Sequence, residues 1–396
     1  MKQSKAEKII GLMISLYICL YTYLYVIDSM IANYFALLVF AVAYTDSIFI
    51  KKRGAHLNYS ILFYLLFLFL AMLSFFWTVS EEMYLDALPR TLFFMIMTVS
   101  VYNTFFWYDI RKFFLWGIFA GGVLNLFIYF NLFPFPEQIF DGPTRFSGTL
   151  GNSNDMGVFI SFSIFAAILL INFFEKNRFF RIILIAYVPL SLYLLFQTGS
   201  RTSILLGFSF LILLFVNYVK TTKGRLYISG FAFLFLLGFN YLMQSDEFAE
   251  QFSFVSERFE SAQETIEGTG SESSTDLRVY FIREGLNKWM NRPVFGHGNR
   301  SFSYYFGTYA HNNYVEILVN LGVLGFVLFY LFFLFTMFSV FKLGDRDLKI
   351  HGLFFIFSSL LFVEFGRVYN MNAIYIIMII MISSFHSNFT KKEVIK

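Results

Sequence analysis

The residues best suited to acid–base chemistry stand together in Tyr309–Glu316, which reads YAHNNYVE. His311 lies there at the entrance of a predicted helix, with Asn312 beside it and Glu316 about one helical turn further on. A histidine can take up a proton near neutral pH, and a neighbouring carboxylate can orient it as a general base. The same spacing suits a histidine that only forms hydrogen bonds at a membrane surface, so the residues alone leave both interpretations open.

Arginines beside apolar segments form the second group of candidate residues. Arg90 follows Pro89 at one end of the fourth apolar run, Arg145 opens the connector RFSGTLGNSNDMG, and Arg201 lies in the turn QTGSRTS. A guanidinium group binds phosphate or carboxylate through two parallel hydrogen bonds and keeps its charge. We interpret these arginines as anion-binding residues. The alternative, that each one pairs with an acidic side chain, stays open.

Both connectors are rich in glycine. The backbone amides at Gly148, Gly151 and Gly199, with helix N-termini at Asn154 and Thr202, could cradle an anion beside the guanidinium groups. Any short loop between helices contains such glycines, so one turn alone predicts little. Two turns that each carry an arginine predict an anion site.

Other chemistries find little support. His297 stands between two glycines and is interpreted as a turn residue, with a base or ligand as the alternative. Two histidines without a third clear ligand predict no metal site. Asp345 and Asp347 form a D-x-D in a short polar turn, which we interpret as a solvated loop. The sequence contains no Walker or dinucleotide-binding motif, and we predict no cofactor.

The elements that carry these residues are predicted membrane spans. The 396 residues are 58% hydrophobic and only 14% charged, too few polar side chains to cover a water-soluble fold. Apolar runs of about 20 residues favour helices over barrel strands, which would alternate. We predict an all-α integral membrane protein with about 12 transmembrane helices. The predicted spans are 9–27, 30–50, 59–77, 87–107, 113–133, 156–174, 179–197, 202–219, 225–243, 314–341, 350–365 and 371–388.

Basic residues orient these spans. With the N-terminus inside, every inner segment carries lysine or arginine, as the positive-inside rule requires. Both termini are then cytoplasmic. The sequence therefore predicts helices 1–9 over residues 1–243, a large extracytoplasmic helical loop over 244–313, and helices 10–12 with a cytoplasmic tail over 314–396. The basic residues left outside are nine arginines and one lysine, which favours anion binding there.

The predicted outer loop has two helical parts. An amphipathic helix over 246–266, with Phe248, Phe252, Val255 and Phe259 on one side, is interpreted as a cover on the membrane surface or on the helix bundle.

A second helix is predicted from about Asp276 to Met290, opened by a capping box at Ser273. We expect this half of the loop to bring Arg278 and His311 over a rim that holds Arg145 and Arg201.

Four sequence motifs, in the order and spacing that they have in this chain, resemble those of the bacterial O-antigen polymerase and ligase superfamily. Its members are membrane glycosyltransferases of lipid-linked polysaccharide assembly. The resemblance covers roughly residues 140–345, and the N-terminal third matches only as hydrophobic helices. It implies a GT-C-like helical fold, an undecaprenyl-pyrophosphate-linked donor, and transfer outside the cytoplasm without a metal. The blocks that carry it are RFSGTLGNSND (145–155), TGSRTS (198–203), RPVFGHGNRSF (292–302) and AHNNYVEILVNLGVLG (310–325).

The resemblance also implies roles for individual residues. Arg145, Arg201 and Arg278 match arginines that bind the pyrophosphate, and Arg90 is our own addition. His311 matches the histidine proposed to activate the acceptor hydroxyl. His297 departs from the family, in which a small or apolar residue is expected, and its role stays open. The supporting residues are Asn154, Asn312 and Glu316.

We predict an inverting polysaccharide polymerase for capsule, exopolysaccharide or O-antigen at the outer face of the bacterial cytoplasmic (inner) membrane. Its predicted partners are an undecaprenyl-pyrophosphate-linked oligosaccharide and, as further candidates, a flippase and a chain-length regulator, but no nucleic acid. One alternative is a ligase that transfers the glycan to lipid A core, a cell-wall polymer or a protein. Another is a flippase or transporter, which would carry charge within its spans rather than at one rim.

Overall fold

The structure is a computed structural model. It describes residues 5–27, 29–52, 54–135, 139–141, 145–216 and 274–364, together with single positions and short runs between 217 and 273 and after 364. Two compact units are present. The first unit comprises Met1–Val39 and Ile110–Gln263, and the second unit comprises Phe40–Asp109 and Glu264–Lys396.

Helices make up most of the described chain. The helices are α1 (Lys5–Ile27), α2 (Ser29–Thr45), α3 (Tyr59–Leu73), α4 (Glu81–Trp107), α5 (Arg111–Tyr129), α6 (Ser153–Leu169), α7 (Arg178–Gln197), α8 (Arg201–Val216), α9 (Ser274–Met290), α10 (Ser301–Phe306), α11 (Asn313–Phe341) and α12 (Arg346–Ser358). One short antiparallel pair joins β1 (Phe140–Asp141) to β2 (Arg145–Phe146).

Helix α6 forms the centre of the first unit. Almost every one of its residues is buried. Small side chains let α8 approach it closely, since a Cβ on Gly157 would lie 2.6 Å from Cβ of Ser203. The hydroxyl of Ser161 donates to the carbonyl of Ser203 at 2.9 Å. This contact fixes the ends of α6 and α8 that carry the two glycine-rich connectors.

The second unit is built on α11. Aromatic rings join it to α3, with Phe67 and Phe329 at 4.9 Å between centroids and Tyr64 and Phe332 at 5.2 Å. At the other end of α11, α9 and α10 pack against its first turns in a smaller apolar cluster. The buried members of that cluster are Phe302, Ala310, Val315 and Val319.

Helix α11 is broken at Gly322, which has φ +66° and ψ −167°, a conformation that is essentially restricted to glycine. The two helical hydrogen bonds expected here are replaced by four bonds to the turn 293–298. Val323 and Leu324 donate to the carbonyls of Pro293 and Val294 at 2.8 and 3.1 Å. In return, His297 and Gly298 donate to the carbonyls of Val319 and Asn320 at 2.9 and 2.8 Å. The break therefore leaves these backbone groups paired, as apolar surroundings require.

Among the residues that the structure describes, six helical segments are long and apolar enough to cross a membrane. This agrees with the predicted all-α membrane protein; the number of 12 spans and the GT-C-like arrangement stay predictions. The predicted span 371–388 falls largely outside the described residues, and the predicted span 225–243 is described only at single positions and pairs. The six segments are Tyr59–Trp77, Glu81–Trp107, Arg111–Tyr129, Ser153–Phe174, Arg178–Gln197 and Asn313–Phe341.

Of the two helices predicted for residues 244–313, the structure describes the second one more fully than the first. Helix α9 confirms the second one, which ends at Met290 as predicted, and its capping residue Ser273 lies outside the described residues. Of the first, residues 252–257 are helical, while Phe248 and Phe259 also lie outside the described residues.

Candidate functional site

In the first unit, Arg145 joins the two glycine-rich connectors. Its Nε donates to the carbonyl of Thr198 at 3.1 Å, and one Nη donates to Oδ1 of Asn154 at 3.0 Å. Thr198 ends α7, and Asn154 lies in the first turn of α6. Both connectors therefore hold the guanidinium group in one orientation, as binding of an anion through two parallel hydrogen bonds would need.

Asparagine side chains shape the connector that follows Arg145. Asn152 caps α6 by accepting from the N–H groups of Asn154 and Asp155 at 3.0 and 3.2 Å. Asn125 on α5 accepts from the N–H of Thr149 at 3.1 Å. These bonds are typical of capping and turn residues. The predicted helix N-terminus near Asn154 is confirmed.

The second connector turns at Gly199, whose φ of +58° favours glycine. A Cβ at Gly199 would lie 3.1 Å from the ring of Phe254 and 3.4 Å from Nε of Arg145. The helical residues 252–257 thus lie against this turn, which agrees with the predicted covering role. Arg201 is half-buried and opens α8 directly after the turn.

In the second unit, His311 occupies a sharp turn just before α11. Its φ is +52°, which is uncommon for any residue other than glycine. The half-buried ring packs on Tyr309 with the centroids 3.9 Å apart. Asn312 caps α11 by accepting from the N–H of Val315 at 3.1 Å. Left-handed backbone at residues other than glycine clusters at active sites, and the catalytic role of His311 stays a prediction.

Glu316 holds the backbone of the same turn. One of its oxygens accepts from the N–H of Ala310 at 2.8 Å, and the other accepts from the amide of Asn320 at 3.2 Å. Only 1% of Glu316 is exposed, so these donors replace the water that burial removes. Glu316 thereby positions the segment that carries His311. The orientation of the imidazole by this carboxylate stays a prediction.

A buried hydrogen-bond network ties the start of α11 to Glu364. The backbone N–H of Asn313 donates to the carbonyl of Glu364 at 2.8 Å, and its side-chain amide donates to the Glu364 carboxylate at 2.5 Å. Tyr330 donates to the same carboxylate at 2.9 Å. The N–H of Tyr369 donates to Oδ1 of Asn313 at 2.9 Å. Chain segments far apart in sequence thus hold the entrance of α11.

Sequence reasoning gave these network residues no role in the site. The sequence feature that could have identified them is a polar residue within an apolar run, such as Asn320 in EILVNLGVLG or Glu364 in LLFVEFG. Polar groups in such runs are costly unless they are paired, and they therefore mark structural or functional sites. Another member is Asn299, whose Oδ1 accepts from the hydroxyl of Tyr369 at 2.8 Å.

His297 proves to be a turn residue with several partners. Its Nε2 faces the carbonyl of Lys288 at 2.9 Å, and Nδ1 lies 3.0 Å from the hydroxyl of Tyr305. Because a carbonyl only accepts, Nε2 carries the proton, and Nδ1 of the neutral ring accepts from Tyr305. Burial lowers the pKa of His297, and the charges of Arg292 and Lys288 lower it further, against the effect of the hydrogen bond to the Lys288 carbonyl. The neutral ring fits this turn.

The remaining arginines of the second unit have different surroundings. Arg90 lies within α4, half exposed, and pairs with Asp86 at 3.8 Å. Asp86 also pairs with Arg300. Arg300 has φ +64° and opens α10, and left-handed backbone at residues other than glycine clusters at active sites. Arg300 is therefore a candidate that the sequence prediction had not assigned to the site.

Arg278 lies on α9 and is half-buried. Helix α9 approaches α11 closely, because a Cβ on Gly285 would overlap the side chain of Val315.

Arg145 and Arg201 belong to the first unit, whereas Arg90, Arg278 and His311 belong to the second. Their action on one substrate stays a prediction.

Comparison with known proteins finds one family. Residues 186–330 match the family described as O-Antigen ligase. The matched range includes Arg201, Arg278, His311 and the supporting residues Asn312 and Glu316, but it begins after Arg145 and Asn154. No curated protein matches the chain.

Proposed function

We propose that this chain, a member of the O-antigen polymerase and ligase superfamily, is a glycosyltransferase that extends a lipid-linked polysaccharide at the outer face of the bacterial cytoplasmic membrane. Its donor is a glycan on undecaprenyl pyrophosphate, and its acceptor is a second lipid-linked repeat unit. Transfer inverts the anomeric centre and uses no metal. The observation that carries this proposal is the turn of His311, with its left-handed backbone and its anchorage through Glu316.

His311 acts as the general base in this proposal. It removes the proton from an acceptor hydroxyl as that oxygen forms a bond to the anomeric carbon of the donor. The bond from the anomeric carbon to the phosphate oxygen breaks on the opposite face, and its electron pair leaves with the pyrophosphate. His311 then returns the proton to solvent. The attacking oxygen and the leaving pyrophosphate lie on opposite faces of the anomeric carbon, so the anomeric configuration inverts.

Arginines stabilise the charge that develops on the leaving pyrophosphate. Arg145, Arg201, Arg278 and Arg90 are assigned to this role, and the fixed orientation of Arg145 between Thr198 and Asn154 supports it. A hydrogen-bond donor that is held in position before the reaction loses little free energy to reorganisation when charge develops on the leaving pyrophosphate.

A ligase is the second candidate function, because the matched family is described as O-Antigen ligase. A ligase would use the same base and leaving group but a different acceptor. The acceptor would be a lipid A core, a cell-wall polymer or a protein rather than a second lipid-linked repeat.

The test is reconstitution of the purified protein in liposomes with a purified lipid-linked repeat. We expect longer glycan that stays lipid-linked, and we expect His311→Ala to abolish chain growth while it still folds and inserts. Arg283→Ala is the matched control, since the Arg283 side chain is 82% exposed. Normal chain growth by His311→Ala would contradict the proposal. Translocation without chain growth would indicate a flippase, and transfer to an added acceptor would indicate a ligase.

A further inference from the structure

A pocket of about 420 Å³ lies at the turn that docks into the break of α11. This volume falls within the usual range for a small-molecule site. The rings of Trp77 and Phe295 meet nearly edge to face, with their centroids 5.7 Å apart. The lining residues are Trp77, Arg292, Pro293, Val294, Phe295 and Gly296.

Hydrogen bonds hold the pocket open in its observed form. The indole Nε1 of Trp77 donates to the carbonyl of Phe295 at 3.2 Å, and Arg292 donates to the carbonyl of Trp77 at 3.3 Å. The N–H of Val79 donates to the carbonyl of His297 at 3.1 Å. Because its walls are fixed in advance, the pocket can bind a ligand without a large ordering cost.

The position of the pocket points to the membrane surface. Trp77 is the last residue of the membrane-span candidate Tyr59–Trp77, and tryptophan is enriched where a span leaves the bilayer. Apolar side chains around it are exposed: Phe76 is 80% exposed, Val294 55% and Phe295 52%. At the end of a membrane span, exposed apolar side chains of this kind are solvated by the acyl chains of the bilayer.

Charge narrows the choice of ligand. Arg292 is exposed at the rim and is the only cationic side chain among the lining residues. We infer that the pocket binds an anionic phospholipid of the bilayer, with an acyl chain against Trp77 and Phe295 and the phosphate at Arg292. A sugar fits less well, because its hydroxyl groups would find few partners on walls of proline, valine and phenylalanine.

The inference can be tested without any measurement of glycan synthesis. The purified full-length protein is placed in nanodiscs of phosphatidylcholine with increasing phosphatidylglycerol, and the lipids that it retains are counted by native mass spectrometry. We expect retention of phosphatidylglycerol over phosphatidylcholine. Arg292→Gln should weaken this retention about fivefold, the effect of one basic residue at an anionic surface.

Matched variants separate the site from general charge effects. Arg283→Gln removes an exposed arginine from α9 and should retain the lipid as the wild type does. Val294→Glu places a negative charge at the mouth of the pocket and should lower retention even if Arg292→Gln fails to fold. Equal retention by the wild type and both pocket variants would overturn the inference. So would an equal preference for the two lipids, or displacement of the lipid by a soluble oligosaccharide.

Discussion

At the scale of one residue, Arg145 is the arginine of the first unit that we propose binds the pyrophosphate. Its two hydrogen bonds reach Thr198 and Asn154 on different connectors. Arg145→Ala removes both bonds and the charge, so we expect the rate of chain growth to fall by about 10²–10³, as for the loss of one contact to a transition state. The rate is measured in liposomes with a purified lipid-linked repeat.

Arg145→Lys separates charge from geometry. Lysine keeps the charge but cannot make both bonds in one plane. We expect its rate to lie between those of the wild type and Arg145→Ala. A wild-type rate for Arg145→Ala would remove Arg145 from the site.

His297 predicts a pH dependence of stability. Its pKa in the folded protein is lowered by burial and by Arg292 and Lys288, whereas in the unfolded chain it returns to about 6.5. The unfolded state then takes up a proton at a higher pH than the folded state does. The contribution of the neutral ring is fully present above about pH 6.5 and is lost as the pH falls towards the folded pKa.

We therefore expect the melting temperature in detergent to fall between about pH 7.5 and about pH 5.5. His297→Gln should show a smaller fall, since it cannot be protonated in this range. Equal falls in the two proteins would contradict the assignment.

The sequence singled out His311 because it lies at the entrance of a helix with Glu316 about one turn away, and Arg145 because it lies in a glycine-rich connector. Their partners were harder to find. Asn313 and Glu364 meet only after the chain folds back on itself, and a linear pattern contains no sign of that pairing. The positive φ of His311 could not be predicted either, because a residue other than glycine adopts a negative φ at most positions.

At the scale of the element, Gly322 predicts the most severe stability effect. Gly322→Ala would require a conformation that alanine avoids, and its Cβ would overlap the carbonyl of Val294. We expect a loss of more than about 2 kcal/mol in the free energy of unfolding. The measurement is thermal unfolding in detergent. Gly344→Ala is the control, as a Cβ there meets no atom within 4 Å, and an equal effect of both changes would contradict this role for Gly322.

The end of one helix could be predicted from the sequence, whereas the break in another could not. The end of α9 at Met290 was predicted correctly, because NRP stops a helix. The break in α11 was not predicted, because the run 314–341 is mostly apolar and its hydropathy is the same for one helix or two. The run contains two glycines, Gly322 and Gly325, and because glycine is common in membrane helices neither one predicts a break.

At the scale of the whole molecule, the predicted sidedness can be tested with single cysteines. Cys19 is the only native cysteine, so Cys19→Ser gives the background. We expect Arg283→Cys to react with a membrane-impermeant maleimide on intact cells, and Gly344→Cys to react only after permeabilisation, since basic loops stay inside. The reverse pattern would place the His311 turn in the cytoplasm and exclude the proposed donor side.

Composition predicted the class of the whole molecule, because a chain this apolar can only be solvated by a bilayer. The family resemblance is supported by the match over residues 186–330. The division into two compact units was not predicted. Each unit combines two segments that are separated in the sequence, and the hydrophobic pattern marks spans without saying which of them pack together.

The broken helix α11 also has a consequence for biosynthesis. The turn 293–298 supplies the partners of four backbone groups at the break, and the ribosome makes this turn before α11. When the nascent α11 emerges, the turn 293–298 has therefore already been synthesised, and the backbone groups at the break can form their hydrogen bonds at once. A chain permuted to begin within 299–312 would reverse that order and expose the break to lipid until the last residues were made.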